Sequence, residues 1–449
     1  MPVCCEFHRQ RDFFCLTHIS NLMKKIFRYL SVFATALTMM TMASCSNDTF
    51  DEIQPDSSVN PVTRSTGDES KIQVPELSAE TQGNSAGVLV LNEGNMTSQN
   101  GFLNYLDKDR YYNTVVGGTR LGNVCQDLYI NNGYVYVVAQ NTKPLDAGSG
   151  IIYKLNASNF ETVATYPTQF SSSVYANNPT HIAVYNDNAI YVRGSGSKYD
   201  GTGTGYGVYR YNPSTNTAQR LNDQSKVVSA APMVIAGNYL YVSYSDKVRV
   251  YEANTTNLDT VATFGVSPKG LVKSTDGRYV YAYSSTGIYT VDTQVDPLRA
   301  SETTVTLNLQ SWCNSAIMSY YNGYLYFINT ADDNKLAYYN TSTGAVTTTN
   351  IAIFNEIDFE AGEEIYNGVA VDPATGYLYV ATTTWGAAYK TNTALNVFQI
   401  GANNAITFVT SVLGYERFTA GIFFPQNFGA TVGTAAFQTK IVADPTDDK

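Results

Sequence analysis

From residue 86 onward, apolar and polar positions alternate in short runs, and one such run recurs. It reads NGYVYVVAQ at 132–140, NDNAIYVRG at 186–194, AGNYLYVSYS at 236–245, DGRYVYAYSS at 276–285, NGYLYFINT at 322–330 and TGYLYVATT at 375–383. Each copy is an Asn/Asp/Gly turn followed by alternation of period two, the pattern of a hairpin entering a half-buried strand. Aligned on Tyr136, Tyr191, Tyr241, Tyr281, Tyr326 and Tyr379, the copies are 55, 50, 40, 45 and 53 residues apart. Periods of 40 to 55 containing several strands predict the blades of a β-propeller.

Within a period four strands can be read. In the fourth unit they are APMVIAG, YLYVSYS, KVRVYEA and DTVATFG, so the recurring run is the second strand of each blade. The ends of the chain set the blade number. GVLVLNEG, FLNYLDKD and YYNTVVGG supply three strands of a first blade but no innermost one, whereas RFTAGIFFP at 417–425 is an innermost-type strand without a local partner. Pairing that last strand into the first blade closes the ring and removes two sheet edges. The expectation is an all-β, seven-bladed propeller over 86–430, followed by a C-terminal tail at 431–449.

The chain ahead of residue 86 has a different texture. Met23 opens MKKIFRYLSVFATALTMMTMASC, a basic start, a short apolar run and small residues before Cys45, which is the layout of an export signal. Residues 1–45 are therefore set aside as a signal segment with its start at Met23. MASC resembles a bacterial lipoprotein box, and the resemblance implies cleavage before Cys45 and lipidation of its sulfur. Residues 46–85 hold eight acids and two bases without periodicity and read as a disordered acidic tether. Their acids directly after Cys45 resemble the surface-export signal of lipoproteins displayed outside certain Gram-negative cells. The membrane connection expected is the lipid alone.

Composition narrows the chemistry. With 35 tyrosines, 15% charged residues and a formal net charge of −10, the chain suits β-structure and offers no basic surface for nucleic acid. Past Cys45, the cysteines are Cys125 and Cys313, read as buried thiols rather than a disulfide. His181 is the one histidine of that part of the chain, which removes multi-histidine metal centres and makes a histidine-based triad a poor fit. The acidic run Glu356, Asp358, Glu360, Glu363, Glu364 lacks a tight calcium loop and reads as a solvated face. No cofactor and no metal are expected.

Loop lengths separate two faces. The turns between first and second strands and between third and fourth strands are short. The loops between second and third strands and several inter-blade crossings are long: 139–150, 193–206, 382–396, 166–179 and 354–366. Long loops on one rim of a rigid scaffold are the usual seat of binding. Trp312, Trp385, Tyr389, Tyr199, Tyr175 and Arg193 fall there, with His181 at the start of an innermost strand, and these are the candidate ligand residues. Aromatics mixed with Asn, Thr and Gly suit flat, polar-edged ligands such as sugars or tetrapyrroles.

The stretches 87–107, 121–138 and 417–425 together resemble the YncE-like exported propeller lipoproteins that begin with a Val-Leu-Asn-Glu-Gly strand. The match to Asn92-Glu93-Gly94 is the most specific part, and it adds Asn92 and Glu93 to the candidate residues, with blade closure as their other role. That group includes cobalamin-capturing surface lipoproteins of the BtuG type, which cap a TonB-dependent transporter. The resemblance implies a surface binding protein that takes up a small-molecule or glycan nutrient, such as a corrinoid, for an outer-membrane transporter. The alternative is a propeller lyase or lactonase acting on a carbohydrate; the scarcity of catalytic side chains favours binding.

The lipoprotein reading predicts that Cys45→Ala releases the protein from membranes. Fractionation and protease accessibility in intact cells measure this, and unchanged membrane association counts against it.

Overall fold

The computed structural model describes residues 88–93, 101–107, 110–112, 121–122, 124–140, 150–195, 205–223, 231–310, 316–356, 363–384, 393–415 and 419–430. Cys45, the signal segment, the tether and the C-terminal tail lie outside them. The first blade contains β1 (Val88–Asn92), β2 (Phe102–Asp107) and β3 (Arg110–Tyr112). The second contains β4 (Cys125–Asn131), β5 (Tyr134–Ala139), β6 (Ile151–Asn156) and β7 (Thr162–Pro167). The third contains β8 (Pro179–Asn186), β9 (Ala189–Ser195), β10 (Tyr206–Asn212) and β11 (Thr217–Arg220). The fourth contains β12 (Val234–Ala236), β13 (Tyr239–Ser243), β14 (Val248–Glu252) and β15 (Thr260–Phe264). The fifth contains β16 (Gly270–Lys273), β17 (Tyr279–Tyr283), β18 (Gly287–Asp292) and β19 (Ala300–Thr304). The sixth contains β20 (Ser319–Tyr321), β21 (Tyr324–Asn329), β22 (Lys335–Asn340) and β23 (Val346–Ala352). The seventh contains β24 (Glu363–Val371), β25 (Tyr377–Thr384), β26 (Thr393–Ile400) and β27 (Ile406–Tyr415), and the chain then returns through β28 (Thr419–Phe423).

Each blade is a four-stranded antiparallel sheet, and β28 completes the first in the order β28-β1-β2-β3. Leu89 pairs with Phe423 and Leu91 with Gly421, and the register shifts at Asn92, which pairs with Thr419. The innermost strands touch in sequence around the axis: β28, β4, β8, β12, β16, β20, β24 and β28 again. This is the closed seven-bladed propeller that the repeats and the orphan last strand predict.

The tight turns follow from their residues. Asn132 and Gly133 have φ of 49° and 77°, and Asn322 and Gly323 of 49° and 82°. A two-residue hairpin with both φ positive matches the twist of its strands, and Asn-Gly adopts it with least strain.

An apolar core fills every gap between blades among the described residues. Leu89, Leu91, Leu128 and Val137 lie between blades 1 and 2, and Val138, Ile152, Ile182 and Val192 between 2 and 3. The remaining gaps have equivalent clusters. The recurring tyrosine enters the gap toward the next blade each time: Tyr136, Tyr191, Tyr241, Tyr281, Tyr326 and Tyr379.

The phenol oxygens then cross the gap. Tyr136 donates to Asp187 Oδ1 at 2.6 Å, Tyr191 to the Ala253 carbonyl at 3.3 Å, and Tyr241 to the Pro297 carbonyl at 2.8 Å. Tyr281 pairs with the Thr341 side chain, and Tyr326 donates to Asn404 Oδ1 at 2.8 Å. All five acceptors sit in or beside the short turns of the following blade. Burial raises the phenols of Tyr136, Tyr241, Tyr281 and Tyr326 well above the ordinary tyrosine range, so they remain donors at physiological pH. The recurrence of one phrase along the sequence is thus the recurrence of one inter-blade contact.

Tyr241→Phe keeps the ring and removes the hydroxyl. Urea unfolding is expected to show a loss of about 1 kcal/mol with an unchanged slope; a variant as stable as the parent would mean that the hydroxyl bond contributes nothing.

Candidate functional site

Strand direction places the chain segments on two faces. The short turns, 132–133, 187–188, 237–238 and 322–323 among them, lie on the face of the tyrosine contacts. The opposite face bears the loops between second and third strands. These are short in blades 4, 5 and 6 (244–247, 284–286 and 330–334) and longer in blades 7, 1, 2 and 3 (385–392, 93–101, 140–150 and 196–205). Blades 7, 1, 2 and 3 are consecutive around the ring, so the strand ends that these longer connections join lie along one continuous arc.

Buried polar side chains collect under this arc. Asp127, at the start of β4 and 4% exposed, accepts the Leu128 amide on Oδ1 at 2.8 Å. Its Oδ2 accepts the Ile182 amide at 3.1 Å and lies 3.0 Å from His181 Nδ1. One carboxylate therefore pins the innermost strands of blades 2 and 3 and fixes the ring of His181, which is itself buried. Arg193, the Cα partner of His181 across β8 and β9, is buried and donates to Thr180 Oγ1. Burial lowers its guanidinium to about 10, with the neighbouring Tyr206 and Tyr244 acting in the other direction.

Tyr175 is half-buried in the crossing 168–178. A Cβ on Gly205 would come within 2.7 Å of the Tyr175 ring and 2.5 Å of Asn177 Cβ. A Cβ on Gly194 would lie 2.0 Å from the Gly205 carbonyl. The two glycines let the crossing and the base of the 196–205 loop meet backbone to backbone, and the Asn177 amide donates to the Gly205 carbonyl at 3.0 Å. Asn177 and Asn178 are buried, and neither Oδ1 has a hydrogen-bond partner.

Asn92 and Glu93 lie where blades 7, 1 and 2 meet. Asn92 donates through Nδ2 to Asn104 Oδ1 at 2.6 Å. The buried Tyr366 of blade 7 donates to Glu93 Oε1 at 2.8 Å, and the Glu93 carbonyl accepts the Cys125 amide of blade 2 at 3.0 Å. Gln310, in the crossing between blades 5 and 6, donates through Nε2 to the Ile365 carbonyl of blade 7 at 2.9 Å.

Of the candidate residues, the structure brings Arg193, His181 and Tyr175 to the loop-face end of blade 3 and sets Asn92 and Glu93 at the ring closure. Trp312, Trp385, Tyr389 and Tyr199 lie outside the described residues. Sequence reasoning missed Asp127, Tyr366, Asn177 and Asn178. The doubled Asn before Pro179 was the one signal available for the last pair, since Asn tolerates the positive φ (42°) that Asn178 adopts. Cys125 is a buried free thiol whose pKa burial raises; Cys313 lies outside the described residues. Glu356 and Glu364 are exposed, and Asp358 and Glu360 lie outside the described residues. Among the described residues, no group of three His, Cys, Asp or Glu side chains is placed to hold a metal ion.

Comparison with known proteins bears on the fold and family. Residues 86–425 match the family model described as a domain of unknown function, DUF5074. The chain belongs to the DUF5074 family. No curated protein matches it. A Bacteroides uniformis protein provisionally assigned as a 6-phosphogluconolactonase is similar in structure, with TM-score 0.52 and 14% identity over 75% of this chain and 98% of that one. At that identity the likeness shows the propeller fold alone. A functionally unknown protein from Desulfotomaculum acetoxidans has TM-score 0.39 and 14% identity, covering 58% of this chain and 85% of that one. BamB from Moraxella catarrhalis has TM-score 0.38 and 10% identity, covering 66% and 78%. These last two add nothing to the fold already described.

The Tyr366–Glu93 bond gives a test of the ring closure. Glu93→Ala leaves a buried phenol without its acceptor and is expected to lose about 1–3 kcal/mol in denaturant unfolding, while Glu93→Gln, which keeps an acceptor oxygen, is expected to lose less. Equal stability of all three proteins would remove Glu93 from the closure.

Proposed function

We propose that this DUF5074 chain is an exported, lipid-anchored surface protein that captures a nutrient ligand on the long-loop arc of blades 7, 1, 2 and 3. It then passes the ligand to an outer-membrane transporter of the TonB-dependent class. It is a binding protein and not an enzyme. The observation that carries this reading is the segregation of the two faces: the inter-blade tyrosine contacts occupy one, and the longer connections leave from a contiguous arc of the other.

Chain direction supports the arrangement. Strand β1 begins, and β28 ends, on the short-turn face. The described propeller is therefore entered at Val88 on the face opposite the strand ends that the long loops connect. The lipid and the transporter come from the resemblance to surface lipoproteins. The same resemblance suggests a corrinoid such as cobalamin as the ligand, and a glycan is the other class that the aromatic and amide-rich loops suit.

A thermal-shift panel of cyanocobalamin, haem and neutral oligosaccharides on residues 46–449 tests capture. With a ligand in hand, Trp385→Ala and Trp312→Ala are titrated beside Asn322→Ala on the short-turn face. Loss of a stacked ring and its burial is expected to weaken binding more than tenfold for the tryptophan variants. Equal affinities across all three would place the site elsewhere.

A further inference from the structure

We propose that Asn177 and Asn178 form a hydroxyl-reading subsite for a neutral sugar at the blade 3 end of the long-loop arc. This deepens, and rests on, the reading of that arc as the binding face. The two residues are 1% and 5% exposed, and both Oδ1 atoms are buried without a partner. Adjacent unpaired acceptors are uncommon in a folded interior, because each has given up its bond to water and gained none in return.

Their backbone, by contrast, is engaged in the fold. The Asn177 amide donates to the Gly205 carbonyl at 3.0 Å, and the Asn178 carbonyl accepts both the Ser195 amide at 3.3 Å and the Ser195 hydroxyl at 2.8 Å. The fold therefore uses the main chain of this pair and leaves the side chains without a structural task. Asn178 needs its positive φ of 42°, and glycine would satisfy that need as well as asparagine.

The surroundings select the ligand's chemistry. Two amide oxygens require donors. Among the described residues, a charged group nearby is the cationic Arg193, which donates to Thr180 two residues beyond Asn178, and this disfavours a metal ion. Asp127, a carboxylate beside β8, already accepts two amides and lies against His181. An anion would meet two acceptor oxygens. A neutral ligand with neighbouring hydroxyls meets neither objection. Tyr175 supplies the apolar surface that a sugar ring also needs: its ring and Asn177 Cβ converge on the same point above Gly205. Both residues are covered, so entry of a sugar requires a neighbouring group, such as the half-buried Tyr175 ring, to move.

The test uses the full chain secreted as Cys45→Ala. Maltohexaose, xylohexaose and mannohexaose serve as neutral probes, with trigalacturonate, calcium chloride and cyanocobalamin as competitors, all followed by calorimetry. At least one neutral hexaose is expected to bind. Asn177→Ala combined with Asn178→Gly is expected to weaken that binding at least tenfold while leaving the thermal midpoint unchanged or raised, since it removes unpaired buried acceptors without disturbing the turn. Should the double variant fail to fold, Asn177→Ala alone bears the same two expectations.

Parental affinity in the double variant alongside weakened binding in Trp385→Ala would overturn the subsite and leave the binding face standing. Parental affinity in both would overturn the two readings together. Binding of calcium, trigalacturonate or cyanocobalamin without any neutral hexaose, or of no probe at all, would overturn the hydroxyl assignment.

Discussion

The phenol of one blade's second strand bonded to a turn of the next blade is the contact on which this propeller depends. A four-stranded sheet cannot bury both of its faces alone, and here each face is covered by a neighbour through a separate apolar core. Apolar burial is non-directional and would tolerate slippage between blades. The tyrosine hydroxyl adds direction, because Tyr241 reaches the Pro297 carbonyl and Tyr326 reaches Asn404 in one relative placement of their sheets. Burial holds these phenols protonated, so the donors persist across physiological pH.

Confining these contacts to one face leaves the other free to vary. On the loop face the blades are joined instead by individual polar solutions. Asp127 pins blade 2 to blade 3, Tyr366 and Glu93 join blade 7 to blade 1, and Gln310 reaches from the blade 5–6 crossing to blade 7. These differ from gap to gap and do not follow the repeat.

The fold was legible in the sequence because its signals are local and repeated. Asn-Gly ahead of an alternating run marks a hairpin wherever it stands, and RFTAGIFFP could be assigned to the first blade because no neighbouring strand remained to pair with it. The candidate site was legible only in part. Loop lengths separated the two faces that the strand order shows, and residue type singled out Arg193, His181 and Tyr175 as candidates. The Tyr366–Glu93 bond joins residues 273 positions apart, and nothing in either local sequence announces it. The idle carboxamides of Asn177 and Asn178 were hidden for a different reason. An unpaired oxygen is a property of its surroundings, and a sequence names the oxygen without naming what is missing around it.

The placement of β1 inside its sheet has a mechanical consequence. The strand is held on one side by β2, in five registered pairs from Val88 to Asn92, and on the other by β28, in four. A pull applied at Val88 along the propeller axis draws β1 along its own length, with both hydrogen-bond ladders crossing the direction of force. The bonds are then loaded together in shear rather than opened one after another, as they would be at an edge strand. A load entering at this end is thus taken by a strand clamped on both sides rather than by an edge strand.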